Sequence, residues 1–131
     1  MQAEKNKSIS AVRLQHAEEC LIDAQENIAS NRYKNAANRS YYAIFHAMRA
    51  VLALEGIDSK KHSGVISEFN RLYIKTGVFD KKLSKGINDA FDIRIDCDYD
   101  DFFVISKAEV EEQVENAEKF VKAVKEYLQS R

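Results

Sequence analysis

Hydrophobic positions recur every three or four residues through almost the whole chain, broken only by short polar segments, and that spacing predicts a protein built of helices. Ala11, Leu14, Ala17, Leu21, Ala24 and Ile28 lay an apolar stripe along a first helix from about Ser8 to Ser30, with charged residues opposite. A second helix, about Arg32 to Glu55, carries Ala37, Tyr41, Ile44, Phe45, Met48, Val51 and Leu52 on one face. It stops at Gly56, a residue suited to a left-handed C-terminal cap, and Ile57 to Lys61 reads as a loop. Val65, Phe69, Leu72 and Tyr73 mark a third helix, about Ser63 to Thr76, ended by Gly77. Asp80 is placed to cap a fourth, about Lys81 to Cys97. Its apolar side of Leu83, Ile87, Ala90 and Phe91 runs into Arg94, so the stripe ends in a charge.

The fifth helix has the clearest start. Ser106 and Glu109 form a Ser-x-x-Glu capping box, in which each side chain satisfies a backbone N–H at the other position. Val110, Val114, Ala117, Val121, Val124 and Leu128 then follow in alternating steps of four and three, the spacing of an a/d seam that requires a packing partner. The first helix of the same chain can supply that partner, giving an all-α, up-down antiparallel bundle of about five helices. No linker or low-complexity tract interrupts residues 1–131, which read as a single domain.

Composition agrees with this reading. The chain has no proline, four glycines and 31% charged residues, which favours helices over a turn-rich β protein. A domain of 131 residues buries about two thirds of the surface its unfolded form exposes, enough for a true core. The net charge of -1 conceals an asymmetry: residues 1–88 carry an excess of five positive charges and residues 89–101 an excess of five negative ones. Such balance argues against a broad nonspecific nucleic-acid surface and leaves room only for a local basic groove. Cys20 and Cys97 are too few and too far apart for a disulfide framework or a metal knuckle. With no basic-plus-apolar leader, a cytoplasmic location is expected. The longest apolar runs, Tyr41 to Phe45 and Ala50 to Leu54, fall far short of the roughly 20 residues that span a bilayer, so no membrane role is expected.

Candidate chemistry gathers on the polar stripe of the second helix. Arg39, Tyr42, His46 and Arg49 share one face, and Arg39 and His46 stand about 10 Å apart along the axis on nearly the same azimuth. His46 is the candidate acid/base, although neither Ser nor Cys is placed as a nucleophile beside it. The bland alternative is a solvated polar face with Tyr42 half-buried. His16, His46 and His62 fall on separate elements without metal-ligand spacing, so neither a zinc nor a di-iron site is expected. The run Asp96-Cys97-Asp98-Tyr99-Asp100-Asp101 starts like a calcium loop but lacks its later Gly and Glu. Arg94 and Asp98 are one turn apart and can simply pair, yet a guanidinium on an apolar side also suits a cleft that receives a partner. Ser59-Lys60-Lys61-His62 and Lys75, Lys81, Lys82 and Lys85 add local positive charge without the Gly-rich spacing of a phosphate loop.

The block Asn38-Arg39-Ser40-Tyr41-Tyr42-Ala43-Ile44-Phe45-His46-Ala47, followed by Lys61-His62-Ser63-Gly64 and by Arg94 to Asp98-Tyr99, resembles the HEPN superfamily. It is similar to the small stand-alone HEPN proteins with a Tyr-Tyr-Ala-x-Phe-His block, and the likeness covers most of the chain. The resemblance implies a helical bundle that forms a homodimer, often encoded beside a minimal nucleotidyltransferase in toxin-antitoxin or stress and defence systems. Many HEPN proteins are metal-independent ribonucleases whose motif is Arg, four to six residues, then His on the later helix, meeting its symmetry mate in a dimer cleft. Here Arg94 matches the Arg, but no His follows it. Tyr99 stands five positions on and Asp101 seven, where some nucleotidyltransferase-paired toxins carry a modifiable Tyr. Arg39 and His46 satisfy the spacing literally, but on the second helix.

The first expectation is therefore a HEPN-type nucleotide- or RNA-binding dimer that partners a nucleotidyltransferase, its cleft lined by Tyr42, Arg49, Lys61, His62, Asp98 and Tyr99. An alternative is a ribonuclease toxin that uses His46 as acid/base and Arg94 or Arg39 to stabilise phosphorane charge, with no metal or other cofactor. A third is a structural helical dimer whose polar stripe only bonds an interface.

Overall fold

A computed structural model describes residues Met1–Arg131 as five α-helices without a strand: α1 (Gln2–Ala29), α2 (Tyr33–Leu54), α3 (His62–Phe69), α4 (Lys82–Tyr99) and α5 (Lys107–Gln129). The all-α bundle expected from the hydrophobic spacing is the fold observed. α2 is its axis, because 13 of its 22 residues are buried and every other helix packs against it. Small side chains allow this. Ala17 and Ala24 of α1 and Ala36, Ala43, Ala47 and Ala50 of α2 are fully buried, and Ser10 Oγ donates to the Ala50 carbonyl at 2.7 Å, a bond that requires close backbone approach. α5 covers the opposite side with Val110, Val114, Ala117, Phe120, Val121 and Val124. Its chief neighbour is α2 rather than the first helix, which it also touches.

The ends of the helices follow from local chemistry. Gly56, at φ 70°, closes α2 in a Schellman motif: its N–H reaches the Ala53 carbonyl at 3.0 Å and that of Ile57 the Leu52 carbonyl at 3.1 Å. The capping box of Ser106 and Glu109 is present with both of its bonds, at 3.1 and 3.3 Å. Asp80 accepts the Lys82 N–H at 2.9 Å, the bond expected of a capping residue at that position, and Lys81 after it already has helical backbone.

Three boundaries differ from the sequence reading. α1 begins at Gln2, not Ser8, because its first turn needs no apolar partner: Gln2 Nε2 donates to Asn6 Oδ1 at 2.9 Å and Glu4 lies at the favourable end of the helix dipole. The third helix continues past Phe69 as a wide π-turn over Asn70–Ile74, with Lys75 N–H bonded five residues back to Asn70. The inserted residue brings both Tyr73 and Ile74 into the core. α4 extends to Tyr99, which puts Asp98 on its last turn. No helix is long and apolar enough to cross a membrane.

Candidate functional site

Tyr42 is the hub of the candidate site. It lies half-buried on the polar stripe of α2, next to Tyr41, whose side chain turns into the core with 1% exposure. The rings of Tyr41, Tyr42 and Phe45 touch one another at centroid distances of 5.1 to 6.0 Å and make an aromatic platform. Three arginines stand over it: Arg39 over Tyr42 at 5.1 Å, Arg49 over Phe45 at 5.9 Å, and Arg94 over Tyr41 and Tyr42 at 5.4 and 5.9 Å. The sequence-predicted residues Arg39, Tyr42, His46, Arg49, His62, Arg94 and Asp98 are thus brought together by α2, the start of α3 and the end of α4.

Arg94 reaches the platform because α4 crosses α2 with Ile87 and Ala90 buried, and the next turn carries the guanidinium to the rim. Its Nε lies 3.0 Å from Asp98 Oδ2, an ion pair in which the N–H is not aimed at the oxygen. Nη2 donates to the Tyr42 hydroxyl at 3.4 Å, a long bond, and Nη1 makes none within the chain. Arg39 instead bonds Asn38 Oδ1 through Nε and Nη2 at 3.1 and 2.6 Å, and reaches Cys20 Sγ at 3.9 Å. Burial pushes the Cys20 thiol up, so the thiolate is disfavoured despite Arg39.

His46 meets His16 edge-on at 5.6 Å and Tyr42 at 6.0 Å. Burial, together with His16, Arg49, Arg39 and Arg13, holds its pKa down to about 4, so the imidazole is neutral at pH 7. Its Nδ1 is buried without a hydrogen-bond partner. That environment opposes the proton donation expected of a catalytic acid. His62 is better held. Its ring stacks on Phe45 at 4.3 Å, and its Nδ1 lies 2.7 Å from the Tyr41 hydroxyl. Burial, then Arg94 and Arg49, lowers its pKa as well.

Lys61 and Tyr99 do not join the cluster. Tyr99 is 76% exposed and shares no ring contact or hydrogen bond with Arg94, because five residues along a helix turn a side chain about 140° away. Lys61 has extended backbone at the mouth of α3, and its side chain is exposed while His62 turns inward. Residues not singled out from the sequence complete the site. Tyr41 reads there as core and Asp58 as loop, yet Asp58 binds both Arg49 at 2.9 Å and Arg13 at 3.5 Å, and so pins the α2–α3 loop to the first two helices. Only its place in the loop preceding His62 signals this. No three metal-ligating side chains converge anywhere in the chain.

Comparison with known proteins agrees with the geometry. Residues 10–127 match the HEPN domain family. The chain belongs to the HEPN family. A UPF0332 protein of Thermotoga maritima is 36% identical over 126 residues, covering 96% of this chain and 95% of that one. A Methanocaldococcus jannaschii protein named as a candidate toxin is 36% identical, over 84% of this chain and 76% of its own. A UPF0332 protein of Archaeoglobus fulgidus is 33% identical, over 87% and 90%. Within this HEPN domain, the arginine on the later helix sits against aromatic rings of α2 and has His62, from another element, as a neighbour of the same rings.

Proposed function

We propose that this HEPN protein works as a homodimer that binds nucleotide or RNA phosphates in a cleft walled by Arg94 and Tyr42, as the partner of a minimal nucleotidyltransferase in a toxin-antitoxin or defence system. The observation that carries the reading is Arg94. Its guanidinium is held by two tyrosine rings and Asp98 while most of its N–H groups remain unspent within the chain. A planar donor fork on an aromatic platform suits phosphate and base together. The names of two Methanocaldococcus jannaschii relatives as candidate toxins support the assignment to such a system.

Binding is favoured over cleavage because His46 is kept neutral and α4 carries no histidine. The test measures mass in solution by sedimentation, binding of a labelled oligouridylate by anisotropy, and retention of a co-expressed nucleotidyltransferase. A monomer that binds neither RNA nor nucleotide would remove the reading. RNA degradation in EDTA that is lost in His46→Ala would move the assignment to the ribonuclease toxin.

A further inference from the structure

We infer that His62 Nε2–H and the unspent N–H groups of Arg94 form a paired donor site for a phosphate oxygen, with Tyr41 as the positioning residue that fixes the imidazole. This rests on the phosphate-binding reading above and gives it a second residue, drawn from a different helix. The Tyr41 hydroxyl has one hydrogen-bond partner, His62 Nδ1 at 2.7 Å. Tyr41 is 1% exposed and its hydroxyl proton has no other acceptor within the chain, so the arrangement that leaves no buried O–H unpaired has the hydroxyl donating to Nδ1. A neutral imidazole that accepts at Nδ1 carries its own proton at Nε2. The ring cannot turn freely, because it stacks on Phe45 at 4.3 Å and 22° and lies nearly parallel to Tyr41 at 5.7 Å and 13°. Arg94 covers the same Tyr41 ring at 5.4 Å, which places the two donor groups around one aromatic residue.

The chemistry separates binding from proton transfer. With Nδ1 occupied by Tyr41 and Nε2 already protonated, His62 has no free lone pair for a 2′-hydroxyl proton. Its use is donation to an anionic oxygen beside a permanent positive charge. A terminal phosphate of a mononucleotide and a bridging phosphate of RNA offer the same oxygens.

The experiment uses the full chain. Two-bond nitrogen–proton correlation spectra of labelled protein read the tautomer of His62, and the Nε2–H form is expected in the wild type, giving way to a mixture in Tyr41→Phe. Binding is measured with labelled octauridylate and with uridine monophosphate, whose comparison tells a phosphodiester from a terminal phosphate. His62→Ala is expected to weaken both by about tenfold, the loss of one hydrogen bond to a charged group. His62→Gln, which keeps a donor near the Nε2 position, is expected to recover most of the loss. An Nδ1–H tautomer in the wild type overturns the proposal. So does unchanged affinity in folded His62→Ala; if Arg94→Met still loses binding, the phosphate-binding reading survives alone. Binding of neither probe by the wild type sinks both.

Discussion

Replacing Arg94 by Met separates the structural and functional claims made for that residue. In the folded chain Arg94 gains an i,i+4 pair with Asp98, at side-chain exposures of 18% and 34%, a contact class worth about 0.3–0.5 kcal/mol. Two cation–π contacts at 5.4 and 5.9 Å add on the order of 1 kcal/mol each, with the Arg94 side chain only 18% exposed. The 3.4 Å bond to Tyr42 adds little at that length. Against this stands the cost of holding a guanidinium on an otherwise apolar side, which Met does not incur while keeping the stem's packing. The terms nearly cancel, so Arg94→Met is expected to change unfolding free energy by no more than about 1 kcal/mol in urea titrations.

Phosphate binding has no such compensation. Loss of a charge-assisted contact is expected to weaken oligouridylate binding by about tenfold or more, and to flatten the slope of log affinity against log salt by about one. Anisotropy titrations at four salt concentrations measure both. A fall in stability above about 3 kcal/mol with unchanged salt slope would show that Arg94 holds the bundle together and meets no phosphate.

His46 gives a pH prediction: its folded pKa of about 4 lies below the ordinary 6.5, so the unfolded chain takes up the extra proton and stability falls as pH drops from 6.5 towards 4. Between pH 7 and 5 that loss is about 2 kcal/mol, and His46→Phe is expected to abolish it in urea titrations at the two pH values. Asp58, 56% exposed, has its carboxyl held below the usual range chiefly by its hydrogen bond to Arg49. Asp58→Asn should cost under about 1 kcal/mol at pH 7, and the difference should vanish as acid titrates the wild-type carboxylate through its lowered pKa. Ser106→Ala breaks the capping box and should cost about 1 kcal/mol while leaving RNA affinity unchanged, since α5 contributes nothing to the platform.

What could be read from the sequence was whatever one helix carries alone. The stop at Gly56 was legible because a left-handed cap almost demands glycine, and the Ser106 box because its four residues are contiguous. Asn31, at φ 60° between α1 and α2, was not, because asparagine suits many other conformations equally. The π-turn was hidden since Val65, Phe69, Leu72 and Tyr73 also fit an unbroken α-helix, and only the burial of adjacent Tyr73 and Ile74 reveals the shifted register. Arg94 stood out as a charge in an apolar stripe. Its neighbours did not: the Tyr41–His62 bond joins residues on two elements across a loop, and Tyr41 alone looks like any core tyrosine.

Burial is the first reason both half-buried histidines are held neutral, and the charge at the platform adds to it. Arg13, Arg39, Arg49 and Arg94 face it or its immediate margin, with Asp58 and Asp98 as the ion-pair partners of three of them, although the whole chain is nearly neutral. Guanidinium groups do not lose their protons, so the surplus acts on the groups that can respond, and the imidazolium forms of His46 and His62 are suppressed. Aromatic faces make the crowding tolerable but do not neutralise it. An anion would relieve the part of this that the arginines contribute, while the part due to burial would remain. The balanced composition that argues against a broad nucleic-acid surface therefore coexists with a local gathering of positive charge along the middle of α2, brought together by folding from residues as far apart in sequence as Arg13 and Arg94.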